Sequence, residues 1–215
     1  TPSAGSVGEP GGTVTFSVVV GNLSVEAVTL ASLADDVFGD LRFAGNPAVS
    51  NNTCPSQPSA IPVGGAFSCS FDAYVSGDAG GPDHHDTVTA TATDDEGNPA
   101  SASDDATVAF SDTLPSVTVA KTPSVGSVAE PGATVTFAIE VHNTSAEAVT
   151  LSALADDVFG DLLDPVNPAV SSNTCPAQPS VIPVGGAFSC SFDAFVVGDA
   201  GDPAHLNTVT AAAAA

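Results

Sequence analysis

The chain has 215 residues, with 25 acidic side chains against 2 basic ones and a formal net charge of −23. That balance argues against nucleic acid and against anionic membrane surfaces as partners, because both require Lys and Arg to displace counterions. It fits a surface that repels its own kind or one that holds cations, and with no run approaching the roughly 18 apolar residues of a membrane span, no membrane insertion is expected.

Val, Thr, Ser, Gly, Pro and Asn are plentiful and helix formers are scarce, so short strands joined by Gly/Pro turns are predicted. The first signal is EPGG at 9–12, a turn, followed by TVTFSVVV at 13–20 with Val14, Phe16, Val18 and Val20 on one face. EAVTLASL at 26–33 is the next strand, and ADDVFGD follows it. IPVGGAFSCSFDA at 61–73 contains a PVGG turn and then strict alternation. Phe67, Cys69, Phe71, Ala73 and Val75 face inward, while Ser68, Ser70, Asp72 and Tyr74 face outward. DTVTATATD (86–94), a DEGN turn (95–98) and DATVAFS (105–111) complete the unit, and SVTVAK (116–121) follows a short SDTLP hinge.

The chain then repeats itself. Residues 1–90 and 122–211 align without a gap at an offset of 121, with about 66 identities, and IPVGGAFSCSFDA returns unchanged at 182–194. A period this long is a whole small domain rather than a solenoid repeat. TVTFAIEV in the second copy places Glu140 where the first has Val19, which marks the solvent face. Two domains are expected, 1–112 and 113–215. The first lacks a lead strand equivalent to 116–121 and the second lacks the last strands, ending in Ala211–Ala215, to which no chemistry is assigned. The absence of an initiator Met and of a signal peptide reads as a mature or cropped chain. Three readings stay open for the incomplete edges: a window on a longer repeat polymer, ends without ordered strands, or a strand supplied by a neighbour through β-augmentation.

Four cysteines occur as one pair per copy, Cys54 with Cys69 and Cys175 with Cys190, each fifteen residues apart. The even count points to one intradomain disulfide per unit and an oxidising compartment. Zinc is disfavoured because no CxxC or nearby Cys/His set exists. Seven or so short strands per unit give an all-β fold, two tandem immunoglobulin-like Greek-key β-sandwiches.

The lead strand SVTVAKTP, the segments EPGGTVTFSVVVGN and EAVTLASLADDVFGDL, the Cys pair and DTVTATATDDEGNPASASDDATVAF together resemble the DUF11-like conserved repeat of bacterial and archaeal surface proteins. The resemblance covers essentially the whole chain, and its motifs are structural. It implies a secreted, multi-copy immunoglobulin-like stalk, adhesin or cell-envelope protein.

Candidate sites are few. Asp35, Asp36 and Asp40 recur as Asp156, Asp157 and Asp161, and carboxylates suit Ca2+, although the spacing is not that of an EF-hand and a solvated acidic turn is the simpler reading. DDEGN with Asp104 and Asp105 near the hinge is a second calcium candidate. Asp83-His84-His85-Asp86 has the look of a metal or acid–base cluster, but its counterpart Ala204-His205-Leu206-Asn207 keeps only the first histidine, which favours a surface loop. His142 stands where the first copy has Gly21 and is expected to be exposed. Asn22, Asn51 and Asn143 stand in formal glycosylation acceptors. No nucleophile elbow, P-loop, dinucleotide fingerprint or HExxH motif occurs, so no enzyme and no resident cofactor is expected. The expected function is a structural extracellular protein, a subunit or segment of a surface filament of tandem repeats whose partner is itself. The alternative is the stalk of a cell-surface adhesin whose binding tip lies elsewhere.

Overall fold

A computed structural model describes residues 1–54, 59–175 and 180–215. Residues 55–58 and 176–179, which directly follow Cys54 and Cys175, lie outside the described residues. The chain is all-β: its described residues form several sheets and no helix. It divides into two compact units, Thr1–Asp112 and Thr113–Ala215.

Unit 1 contains β1 (Ser6–Gly8), β2 (Gly11–Gly21), β3 (Val28–Asp35), β4 (Gly39–Asp40), β5 (Val49–Ser50), β6 (Ser59–Ile61), β7 (Ala66–Ser76), β8 (His84–Thr93) and β9 (Pro99–Ser111). One sheet runs β2-β7-β5. The other runs β1-β9-β8-β3-β4, with β6 also on β3. β2 and β7 pair antiparallel with Phe16 opposite Phe71 and Val18 opposite Cys69. The alternation along β7 is the period-2 pattern of a half-buried strand: Cys69, Phe71, Ala73 and Val75 are buried, and Tyr74 is exposed. Both sheets contribute to one core, in which Phe16, Leu30, Leu33, Phe38, Ile61, Phe71 and Val108 are buried.

Unit 2 contains β10 (Val117–Pro123), β11 (Gly132–Asn143), β12 (Val149–Asp156), β13 (Gly160–Asp161), β14 (Ser180–Ile182), β15 (Ala187–Val197) and β16 (Val209–Ala214). β10-β11-β15 form one sheet, and β12 carries β13, β14 and β16 in the other. Phe137 faces Phe192 and Ile139 faces Cys190, the registers of unit 1 shifted by 121. β10 lies along β11 from Val117↔Asn143 to Pro123↔Phe137. In unit 1 the matching edge of β2 meets only the first residues, through a Pro2–Phe16 bridge and a hydrogen bond from Ser17 N to Thr1 O. Beyond Ser17 that edge has no strand beside it among the described residues.

Gly11 and Gly132 open β2 and β11 at φ values of 137° and 145°, which disfavour L side chains. A Cβ on Gly11 would sit 2.1 Å from Val75 O, and one on Gly132 2.4 Å from Val196 O. Gly11→Ala should therefore cost about 2 kcal/mol from backbone strain and overpacking. Gly5→Ala, with nothing within 4 Å of the added carbon, should leave the thermal unfolding midpoint unchanged. Equal midpoints for the two variants would sink this account.

Candidate functional site

The acidic turn after β3 is built by its own side chains. Asp35 Oδ1 accepts from the amides of Val37 and Phe38 at 2.9 Å each. Asp36 Oδ1 accepts from Thr87 N at 2.6 Å, and Asp40 Oδ1 from Arg42 N at 2.9 Å. Unit 2 repeats the scheme: Asp156 holds Val158 and Phe159, Asp157 holds Thr208, and Asp161 holds Leu163. These are Asx turns, which fold the chain so that Phe38 and Phe159 point inward. None of the six expected calcium ligands belongs to a group of three acidic side chains close enough to share an ion among the described residues. In unit 1 Glu26, Asp94 and Glu96 do lie that close, on an accessible loop face. Asp94 closes the DEGN turn by accepting from Asn98 N and Asn98 Nδ2, which hold its carboxyl below the usual value. Asp104 and Asp105 lie on β9, opposite Val88 and Thr87, away from that turn.

The inward phenylalanines form a three-ring cage in each unit. Phe16, Phe38 and Phe71 have centroids 5.4–5.9 Å apart. Phe137, Phe159 and Phe192 repeat this at 5.3–5.8 Å. In unit 2 the cage holds a cation. Lys121, from β10, reaches down so that Nζ stands 4.4 Å from the Phe137 centroid and 5.5 Å from those of Phe159 and Phe192. The ammonium donates to Asp156 Oδ2, with the lysine side chain 9% exposed and the aspartate 0%. Asn207 Nδ2 donates to both oxygens of the same carboxylate, at 3.2 and 3.0 Å. Burial pushes the Asp156 carboxyl up, but the Lys121 bond and the two turn amides outweigh it, so its pKa lies below the ordinary 3.8. Ring faces and carboxylate together replace the water that the ammonium loses.

Two disulfides, Cys54–Cys69 and Cys175–Cys190, join β7 and β15 to the preceding loops, each with Cα atoms 4.9 Å apart. No cysteine is free. The covalent links are compatible with an oxidising location, extracellular or periplasmic. No helix among the described residues is long and apolar enough to cross a membrane.

No protein-family model matches the chain. No curated protein matches it either. Among solved structures it is similar to the YadV chaperone at TM-score 0.27 and 9% identity, covering 99% of this chain and 92% of that one. It is similar to the CupB2 chaperone of Pseudomonas aeruginosa at 0.27 and 11%, covering 100% and 99%. A Ca2+-stabilized, ice-binding adhesin of an Antarctic bacterium gives 0.23 and 15%, covering 94% of this chain and 43% of that one. Scores this low assign nothing to the chain.

A histidine packs on the cage in both units, His84 in unit 1 and its counterpart His205 in unit 2, whose ring stands 5.8 Å from Phe159. The expected surface loop at His84–Asp86 is instead the start of β8, because β9 pairs across it: His84 lies opposite Val108 and Asp86 opposite Ala106. The His84 ring packs 5.4 Å from Phe38 and 6.3 Å from Phe16. Asp86 is 2% exposed, its Oδ2 3.8 Å from His84 Nε2. His84 Nε2 and Asp86 Oδ1 are buried without a hydrogen-bond partner among the described residues. Burial pushes the Asp86 carboxyl up, the Asp35 and Asp36 charges add to this, and His84 partly offsets it. His85 and His142 are exposed, beside Asp105 and Glu140. Asn22 and Asn143 are buried, their amides donating to Glu26 O and Ile61 O and to Glu147 O and Ile182 O. Neither amide is open to a sugar in the folded chain. Asn51 is exposed and donates to Asp72 Oδ2 at 2.7 Å.

A carboxyl with a raised folded pKa binds its proton more tightly folded than unfolded. Asp86 should therefore make unit 1 lose stability as pH rises from 3.8 through its raised value. Asp86→Asn, the residue unit 2 carries at this place, should stabilise unit 1 at neutral pH by about 1–2 kcal/mol and flatten that slope. Urea unfolding of both proteins across pH 4–7 reads the effect. An unchanged slope would overturn the assignment of the slope to Asp86.

Proposed function

We propose that the chain is a segment or subunit of an extracellular structural filament, built from tandem immunoglobulin-like β-sandwich repeats and lengthened by pairing of sheet edges. The observation that carries this reading is the repetition of one sheet register, one disulfide and one aromatic cage at a constant offset of 121 residues. A scaffold has reason to keep such features identical in every unit, whereas a dedicated recognition site is free to diverge between copies. The acidic surface keeps such fibres apart by mutual repulsion. Short hinges set the spacing, and the buried strands with their disulfides resist extension.

Electron microscopy of the native material, with the mass of the denatured chain measured on the same sample, tests the proposal. Long ordered fibres support it. With a chain near 20.9 kDa they would mean polymerised subunits, and with a far heavier chain one polypeptide of many repeats. Dispersed particles would remove the filament and favour the stalk of an adhesin.

A further inference from the structure

One carboxylate of unit 2 touches two nitrogens of different chemistry. Asp156 Oδ2 accepts from Lys121 Nζ, and Asn207 Nδ2 donates to both oxygens of the same group. Asp156 Oδ1 is also fixed by the amides of Val158 and Phe159, so the carboxylate stands still between an amine and a carboxamide. Three segments supply the set. Lys121 comes from β10 in one sheet, Asp156 ends β12 in the other, and Asn207 stands two residues before β16, which pairs with β12. Phe137, Phe159 and Phe192 close over the amine, and the lysine side chain is 9% exposed and the aspartate 0%. Such enclosure makes separated charges costly. It favours the neutral form of the pair, an amine beside a carboxylic acid, which is reached by moving one proton along the existing Lys121–Asp156 hydrogen bond. A neutral amine is a nucleophile, and the carboxamide held by the same carboxylate is an acyl donor.

We propose that Lys121 and Asn207 join in a covalent side-chain amide, which the folded unit forms by itself with Asp156 as the proton carrier. Lys121 Nζ passes a proton to Asp156 and attacks Asn207 Cγ. Asp156 delivers that proton to Nδ2 and takes another from the attacking nitrogen, which has become positively charged. The tetrahedral oxyanion then collapses, the Cγ–Nδ2 bond breaks and the Nζ–Cγ amide remains. The released ammonia departs as ammonium with the proton that Asp156 holds, and the carboxylate is restored. No oxidant, reductant or co-reactant enters. The fold supplies what free amine and carboxamide lack in water: fixed proximity, and one acid–base group in contact with both the attacking and the leaving nitrogen. The three rings keep out water, which would compete for Cγ. Until the bond forms, the ion pair holds the same place. Once formed, it ties β10 to the segment that leads into β16, and so links the two sheets of unit 2 covalently. The inference concerns one unit and does not depend on assembly into fibres.

Mass spectrometry of the 215-residue chain, purified folded and then reduced and denatured, tests the bond. The chain should weigh one ammonia less than its sequence. Trypsin should cut the denatured chain after Arg42 but not after Lys121, whose side chain no longer carries a charge. Asp156→Asn keeps the oxygen that holds Val158 and Phe159 and loses the proton carrier; Asn207→Ala loses the acyl donor. Each variant should show the full mass of its own sequence and regain the cut after Lys121, with urea unfolding confirming that its unit 2 folds. A parent chain of full mass that is cut after Lys121 would overturn the proposal. So would a loss of ammonia with that cut intact, which would mean that Asn207 had cyclised onto its own backbone. A crosslink that persists in Asn207→Ala would place the bond on Asp156 and overturn it equally.

Discussion

Replacing Lys121 with methionine should destabilise unit 2 by about 3–4 kcal/mol, the range for breaking a buried ion pair from one side. The reason is the charge left behind. Asp156 is fully enclosed, and Asn207 with two turn amides cannot neutralise it. The double variant Lys121→Met/Asp156→Asn should recover most of the loss, since asparagine keeps the turn acceptor and carries no charge. The pH response should change too. With its folded pKa depressed, Asp156 contributes stability that is present above 3.8 and lost as pH falls through the folded value. The single variant removes the principal cause of that depression, so its advantage from neutral pH disappears. Urea titrations at pH 7 and in acid check both statements. A single variant as stable as the parent would show that the cage does not depend on its cation.

Removing either disulfide should cost the unit that holds it about 3 kcal/mol, because closing a 15-residue loop restricts the unfolded chain. The folded loop has other ties. Thr53 N donates to Ser70 O at 2.8 Å, Thr53 Oγ1 accepts from Ser70 N, and Thr174 does the same with Ser191 in unit 2. Cys54→Ala/Cys69→Ala should thus leave the native loop in place and act on the unfolded state. That predicts a larger denaturant slope as well as a lower midpoint, since the uncrosslinked chain exposes more surface. A lower midpoint caused by a disturbed native loop would instead alter the folded-state spectrum around Ser70 and Ser191.

The strands were legible where one face of the sheet is apolar. β2 and β7 alternate strictly and bury what the alternation predicts. The pairs Cys54/Cys69 and Cys175/Cys190 were legible because each unit holds two cysteines and no other thiol competes. The cage was not, because its parts come from distant segments: Phe16 from β2, Phe38 from the turn after β3, Phe71 from β7, and in unit 2 the cation from β10. The signal that could have found it is Lys121 itself. It stands in phase with Val117 and Val119 on the inward face of an amphipathic strand, in a chain with only one other basic residue. His84 and Asp86 were misplaced for a related reason. Their polarity reads as a loop, but β9 draws them into the sheet, and the inward positions at that end of β8 meet the aromatic rings. The aspartates of the turn carried a second meaning. The same residue type serves metal binding and Asx turns, and the backbone amides two and three residues on decide for the turn.

Both basic side chains of the chain are enclosed. Arg42 is 7% exposed and donates to the carbonyls of Leu30 and Ala31 at 2.7 Å, and Lys121 lies in its cage. A protease that cuts only after arginine and lysine therefore finds no accessible bond on the native surface, although the molecule is covered with loops. While the Lys121 ammonium is free, the molecule has one latent cleavage point per unit, after Arg42 and after Lys121. Digestion by trypsin becomes a two-channel clock: the fragment cut at 42 reports each opening of unit 1 and the fragment cut at 121 each opening of unit 2, with no label attached.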